Sequence, residues 1–161
     1  KDYPLKTIMA VADLAISPGH NILSKLQSTL ANNRDSAARY WAALGILMQG
    51  KRGIESAGEE LHKALTDPSP SVRVICAQAL GQFGSENDLE TALPVLLNLS
   101  SLDGNNLYIA MLALNALDAL DDKAANLAGR IRQLPKTNPS LHPRMRNYIP
   151  RLIEKILADL D

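Results

Sequence analysis

A single cysteine, Cys76, leaves this chain without an internal disulfide framework and without a thiolate metal cluster. Aromatic residues supply only 4% of it, with one Trp and one Phe, so large flat side chains do not build its core. Ala, Leu and Ile must do so, and side chains of that size suit closely packed helices better than β-sandwiches. Charge of one sign is also missing. Seventeen basic residues face 17 acidic ones, which gives no case for a nucleic-acid or membrane partner of the whole chain. No run approaches the ~18 consecutive apolar residues of a membrane helix. The sequence opens at Lys1 rather than at a Met or a signal peptide, directly into a helical pattern, so it is expected to be a piece of a longer protein. A missing signal then says nothing about compartment.

What is present is a hydrophobic content of 46% in 161 residues, enough for one domain burying roughly 70% of its unfolded surface. Residues 67–84 set the pattern. Asp67-Pro68-Ser69-Pro70 reads as a turn, and Val72, Ile75, Cys76, Ala79, Leu80 and Phe83 then fall on one helical face before Gly84 stops the helix. The template occurs twice. Arg39-Tyr40-Trp41-Ala42-Ala43-Leu44-Gly45-Ile46-Leu47-Met48-Gln49-Gly50 aligns with it without gaps, Arg39 on Arg73, Ala43 on Ala77 and Gly50 on Gly84. That single constant offset falls within the range of roughly 20–50 residues that marks repeat architectures, and here it points to a helical solenoid.

Taken in order, Leu5, Ile8, Met9, Ala12 and Ile16 stripe a first helix that Ser17-Pro18-Gly19 ends. Asn21 caps a second, with Leu23, Leu26 and Leu30 inward. After the turn Asn32-Asn33-Arg34-Asp35, a third is striped at Ala37, Tyr40, Trp41, Leu44 and Leu47/Met48. Gly50-Lys51-Arg52-Gly53 breaks it, and Ile54, Ala57, Leu61, Ala64 and Leu65 mark the fourth. Asp88 is the expected cap of a helix that Pro94 should kink. Leu107 to Leu120 is apolar nearly all round and should be the most buried helix. Asp121-Asp122 caps a helix through Leu134, a proline-punctuated connection spans Pro135 to Pro143, and a final helix contains Pro150, which either kinks it or starts its stable part. Nine helices and no period-two alternation make the chain all-α. They pair as 21–32 with 35–49, 54–66 with 70–83, 88–99 with 105–120 and 123–134 with 141–160. Residues 1–20 are left as a lead-in helix that caps the stack or belonged to a preceding domain.

The residues Asp67-Pro68, Val72-Arg73, Ala77 and Ala79-Leu80-Gly81 resemble the second half of a HEAT repeat, across most of residues 21–120. The resemblance implies a right-handed α-α superhelix of the HEAT/armadillo-like kind, as one domain over 1–161: lead-in 1–20, repeats 21–134, connection and C-terminal helix 135–161. In that family an Asp in the intra-repeat turn and an Arg six residues later form a polar ladder along the stack, and Asp67 and Arg73 have that spacing. The earlier copy has Asn33 at the Asp position, so Arg39 must pair with Asp35 or with a neighbouring repeat. A narrower resemblance comes from Asp35-Ser36-Ala37-Ala38-Arg39-Tyr40-Trp41-Ala42-Ala43-Leu44-Gly45, Asp67 to Arg73, and the lead-in Leu5 to Ala15. These are similar to the helical C-terminal extension of bacterial sulfatases of the heparan N-sulfatase (N-sulfoglucosamine sulfohydrolase-like) group. That would make the chain an accessory region of a periplasmic or secreted enzyme acting on sulfated glycans. A free-standing adaptor binding a protein through its inner helical layer is the alternative.

Catalytic chemistry finds no motif. Cys76 is followed by Ala77-Gln78-Ala79-Leu80, which does not match the Cys/Ser-x-Pro-x-Arg context of a sulfatase, and it lies on an apolar stripe as a small core residue. His20, His62 and His142 lack metal-ligand spacing, and no phosphate-cradling glycine loop is present. No catalytic, metal or cofactor residue is expected. The residues that offer an interaction surface are Arg39, Tyr40, Arg73, Arg130, Arg132, Arg144 and Arg146. Tyr40 and Trp41 either pack between repeats or stack on a sugar or base. Arg39 and Arg73 are either ladder residues or, aligned in a row on adjacent helices, clamps that an anion bridges. From Lys123 through Arg151 seven cations occur without one Asp or Glu. They form either a solvated face balanced by Glu154, Asp159 and Asp161, or a dock for an acidic domain surface or a sulfated glycan, with DNA as a third option.

Overall fold

The computed structural model describes residues 3–17 and 21–160. The expected stop at Pro18-Gly19, His20 and the balancing Asp161 lie outside them. Among the described residues there are nine α-helices and no strand. In chain order they are α1 (Leu5–Ile16), α2 (Ile22–Asn32), α3 (Ser36–Met48), α4 (Lys51–Ala64), α5 (Pro70–Phe83), α6 (Glu86–Leu99), α7 (Leu107–Asp118), α8 (Ala128–Arg132) and α9 (Tyr148–Leu160), with 3-10 segments at Asp121–Leu127 and Pro143–Met145. The chain is an all-α helical repeat solenoid.

Odd-numbered helices form one layer. α1 packs on α3, α3 on α5, α5 on α7 and α7 on α9, while α2, α4 and α6 lie behind them against their sequence neighbours. The lead-in helix thus occupies the place of a missing first partner of α3. A helix held between two neighbours and a third behind it buries more than one stripe. In α5 the buried set is Val72, Val74, Ile75, Cys76, Ala77, Ala79, Leu80 and Gly81, so the expected face is inside, joined by Val74, Ala77 and Gly81, with Phe83 only half-buried. α7 shares that environment rather than exceeding it, and it leaves Tyr108 in solvent.

Two stripes are rotated from the expected ones. α1 buries Ile8, Val11 and Ala15 and exposes Leu5, Met9 and Ile16. α3 buries Ala38, Ala42, Ala43, Gly45 and Ile46, whereas Ala37, Tyr40, Trp41, Leu44 and Leu47 are half-buried and Met48 is exposed. The reason is close approach. Helix axes near the short end of the usual range of about 8–10 Å need Ala and Gly at the contact line, and larger residues are displaced to its flanks. A Cβ on Gly45 would sit 2.9 Å from Ala15 Cα and 2.8 Å from Leu26 Cδ1.

Helix ends also differ in detail. Asn21 precedes α2 without a side-chain cap bond. Gly50, at φ +59°, makes the break alone. Gly53 lies buried inside α4, where a Cβ would stand 2.1 Å from the Ile46 carbonyl oxygen. The cap of α6 is Ser85, with Asp88 as the reciprocal partner of a capping box, because Ser85 Oγ takes the Asp88 N–H while Asp88 takes the Ser85 N–H. α6 continues through Pro94. Asp121, at φ +53°, opens a 3-10 segment instead of capping an α-helix, and only residues 128–132 become α-helical. α9 starts at Tyr148, so Pro150 lies in its first turn, where its missing N–H costs nothing. No helix among the described residues is long and apolar enough to cross a membrane.

Gly45→Ala should overpack the α1–α3 contact and cost about 1–3 kcal/mol. Urea midpoints of the two proteins measure it, and an unchanged midpoint would contradict so close a contact.

Candidate functional site

The polar features of the stack grow from one recurring turn. Asn33, Asp67 and Ser101 stand at equal intervals along the chain, the same interval that separates Arg39 from Arg73. Each side-chain oxygen accepts the backbone N–H two positions on: Asp35 N to Asn33 Oδ1 at 2.9 Å, Ser69 N to Asp67 Oδ1 at 2.8 Å, Asp103 N to Ser101 Oγ at 3.1 Å. Asn138 repeats the turn with Ser140 N at 2.9 Å. Short polar side chains make this turn because their oxygen reaches their own downstream backbone.

Arg39 reads across that register. It grips Asp67 of the following repeat with two bonds, Nε to Oδ2 at 2.7 Å and a terminal nitrogen to Oδ1 at 2.8 Å, and donates to the Asn33 and Arg34 carbonyls of its own turn at 2.9 and 3.0 Å. The side chains are only 13% and 8% exposed. Of the two partners left open by the sequence, the neighbouring repeat is the one used, and Asp35 instead caps α3 through the Ala37 and Ala38 N–H groups. Burial alone would raise the Asp67 carboxyl. The Arg39 hydrogen bond, the Ser69 N–H and the Arg39 and Arg73 charges outweigh it and hold the group below the ordinary carboxylate range.

Arg73 does not join the ladder. Asp67 is taken by Arg39, and the position that stands to Arg73 as Asp67 stands to Arg39 is Ser101. Arg73 Nε is buried without a hydrogen-bond partner. Asp67 is hydrogen-bonded to Arg39 alone, while the charge of Arg73 also favours its ionised form.

Tyr40 stacks edge-on against Trp41, ring centroids 6.1 Å apart at 82°. It also lines a groove of about 430 Å³ across the front layer with Ser36 and Ala37 of α3, Ser69 and Ser71 at the start of α5, and Tyr108, Ile109 and Leu112 of α7. Tyr108 is 68% exposed. Sequence reasoning misses α7's part in this groove because Tyr108 belongs to a run that reads as buried.

The late basic residues do not assemble with these. Lys123 is bound to the Gly81 and Gln82 carbonyls at the end of α5, at 3.1 and 2.6 Å, and Arg146 to the Leu141 and Pro139 carbonyls, at 3.0 and 2.9 Å. Lys123 covers the last carbonyls of α5, and Arg146 ties down the loop that precedes it. Arg130 and Arg132 are exposed on α8 and Arg144 in the segment Pro143–Met145. His62 donates to Asp88 at 2.5 Å and ties α4 to α6, and His142 Nδ1 accepts the Arg144 N–H at 3.3 Å. Cys76 is fully buried, and burial pushes its thiol far above its ordinary range, as for an inert core residue. Among the described residues no three His, Cys, Asp or Glu side chains gather where a metal ion would fit.

Asp67→Asn should cost about 3 kcal/mol at neutral pH, since it leaves the buried Arg39 without its counter-ion. A depressed carboxyl stabilises the fold above its unfolded pKa, and that contribution is lost as the pH falls through the lower folded value. Denaturation of both proteins between pH 7 and pH 2 should therefore show the difference full at the top and shrinking below about pH 4. A pH-independent difference would exclude the ion pair as its source.

No curated protein matches the chain. A family model described as HEAT repeats matches residues 23–118, the span of α2 to α7 that carries both the repeated register and the Arg39–Asp67 pair. That match covers more than half of the chain, and with the paired layers, the small-residue contacts and the repeated turn it shows that the chain belongs to the HEAT repeats.

Proposed function

We propose that the chain is a non-catalytic interaction module that binds a polypeptide across the groove of α3, α5 and α7. The groove itself carries the reading. Tyr40 and Tyr108 offer large amphipathic rings, Ile109 and Leu112 an apolar floor, and Ser36, Ser69 and Ser71 hydroxyls along the rim. Tyrosines of this kind contribute contact area while losing little rotamer freedom, which is why they anchor protein interfaces. The three helices come from successive repeats, so the groove exists only in the assembled stack. In this reading residues 1–161 act as one domain.

The finer reading places the module at the C-terminal end of a bacterial sulfatase, periplasmic or secreted, packed on the catalytic domain or shaping access for sulfated glycans. It rests on the resemblance of residues 5–15, 35–45 and 67–73. The exposed Leu5, Met9 and Ile16 of α1 favour a neighbour on that end of the stack. An upstream Cys/Ser-x-Pro-x-Arg motif in the same reading frame supports this parentage, and its absence leaves the free-standing adaptor. Docking of a polyanion is weaker, because Lys123 and Arg146 already serve backbone carbonyls. Filter binding of duplex DNA over a salt series should show no retention even at low salt, and retention that falls with salt would restore that option.

A photo-crosslinker at position 108 should capture the partner, which is then titrated against variants. Tyr108→Ala should weaken binding about thirtyfold, the ~2 kcal/mol of a hot-spot residue, while Glu59→Ala on exposed α4 surface should not. Equal affinity for Tyr108→Ala would overturn the groove.

A further inference from the structure

The gap in the polar ladder has the form of a ligand site. Behind α5 a cavity of about 250 Å³ is lined by Leu65, Arg73, Pro94, Val95, Asn98 and Leu99. Its Leu65, Arg73, Pro94 and Asn98 stand one repeat period after Ala31, Arg39, Glu60 and Ala64 of the pocket that also holds Asp67. In the first pocket a carboxylate from the next turn fills the arginine fork. One repeat on, no carboxylate lines the pocket, and the position of Asp67 is held by Ser101, which lies outside that lining, accepts the Asp103 N–H and brings no charge. Arg73 keeps a buried Nε with no acceptor, at a cost that a partner would remove.

We propose that the Arg73 pocket is a carboxylate-binding subsite, with Arg73 as the fork and the apolar side chains Leu65, Pro94, Val95 and Leu99 around it. The chain itself shows what such a fork takes, since Arg39 holds its carboxylate with two bonds. A bidentate grip requires the Arg73 guanidinium to turn into the cavity as that of Arg39 does. An acidic side chain of a bound polypeptide is the source that fits the interaction module. This source rests on the function proposed above, whereas the subsite does not.

The test follows the Arg73 Nε–H resonance, assigned by its loss in Arg73→Lys, in the full chain at constant ionic strength. Sodium acetate replacing chloride should shift it saturably, as should a terminally blocked Gly-Glu-Gly peptide, while the Gly-Gln-Gly peptide should not. Ser101→Asp supplies the missing rung from within. It should weaken the acetate response about tenfold and raise the thermal midpoint by about 2–4 °C. Ser101→Asn keeps the turn acceptor, as Asn33 does, and should do neither. No saturable shift with either carboxylate overturns the subsite, and so does an acetate response equal in Ser101→Asp and Ser101→Asn. Acetate binding with no response to the Glu peptide overturns the peptide source alone and points to a free small carboxylate. The acetate arm needs no partner, so its failure is separable from that of the groove.

Discussion

Everything in this stack depends on how closely its front-layer helices approach one another. Ala38, Ala42, Ala43 and Gly45 of α3, Ala77, Ala79 and Gly81 of α5, and Ala110, Ala113 and Ala116 of α7 are all buried. Side chains that small contribute little area each, so the fold gains its burial by having every helix covered on several sides at once. A single repeat cannot do this. The low aromatic content is thus the consequence of an architecture whose contact lines have no room for rings, and the few large rings lie at the margins. Trp41 and Tyr40 are half-buried beside the α3 contact line, and Tyr108 is outside it.

Polar residues follow the same logic of shared register. The turn made by Asn33, Asp67, Ser101 and Asn138 recurs because a short polar side chain satisfies its own backbone wherever the chain turns between helices. Which of these residues is charged decides something separate. Only Asp67 offers a carboxylate, and Arg39 takes it from the preceding repeat. The turn tolerates Asn, Asp or Ser equally, whereas the ladder does not. That difference leaves one arginine of a repeated pair neutralised and the other with a buried donor unused. A structural motif that loses one member in this way becomes a place where an outside group of the same chemistry fits.

The groove and the cavity differ in what makes them visible. Arg39, Tyr40 and Arg73 stand out in the sequence because they recur at the repeat period or are aromatic. Tyr108, Ser69 and Ser71 give no such signal. The reason is physical: a groove across three helices is defined by residues from three repeats. The loop through Gly104 also sets α7 further from α5 along the chain than α5 stands from α3, which hides the correspondence. Ser101 is recoverable by carrying the repeat count one step past Asp67. It is easily overlooked because the third repeat fits loosely in its helices while its turn keeps the register. Lys123 and Arg146 show the opposite error, since a run of cations in sequence says nothing about which of them the backbone has already engaged.

Hydrophobic spacing, turn residues and helix breakers act over a few residues at a time, and so the all-α class, the repeat and its period, the order of the helices and the core role of Cys76 are legible in the chain alone. Tertiary structure alone decided which face of α1 and α3 turns inward, since that depends on where a neighbouring backbone comes within contact of a glycine. It alone decided that Arg39 rather than Arg73 holds Asp67, because one candidate lies in the preceding repeat and the other on the helix that the Asp67 turn begins. Local pattern proposes both pairings, and only the stacking distance between repeats selects one.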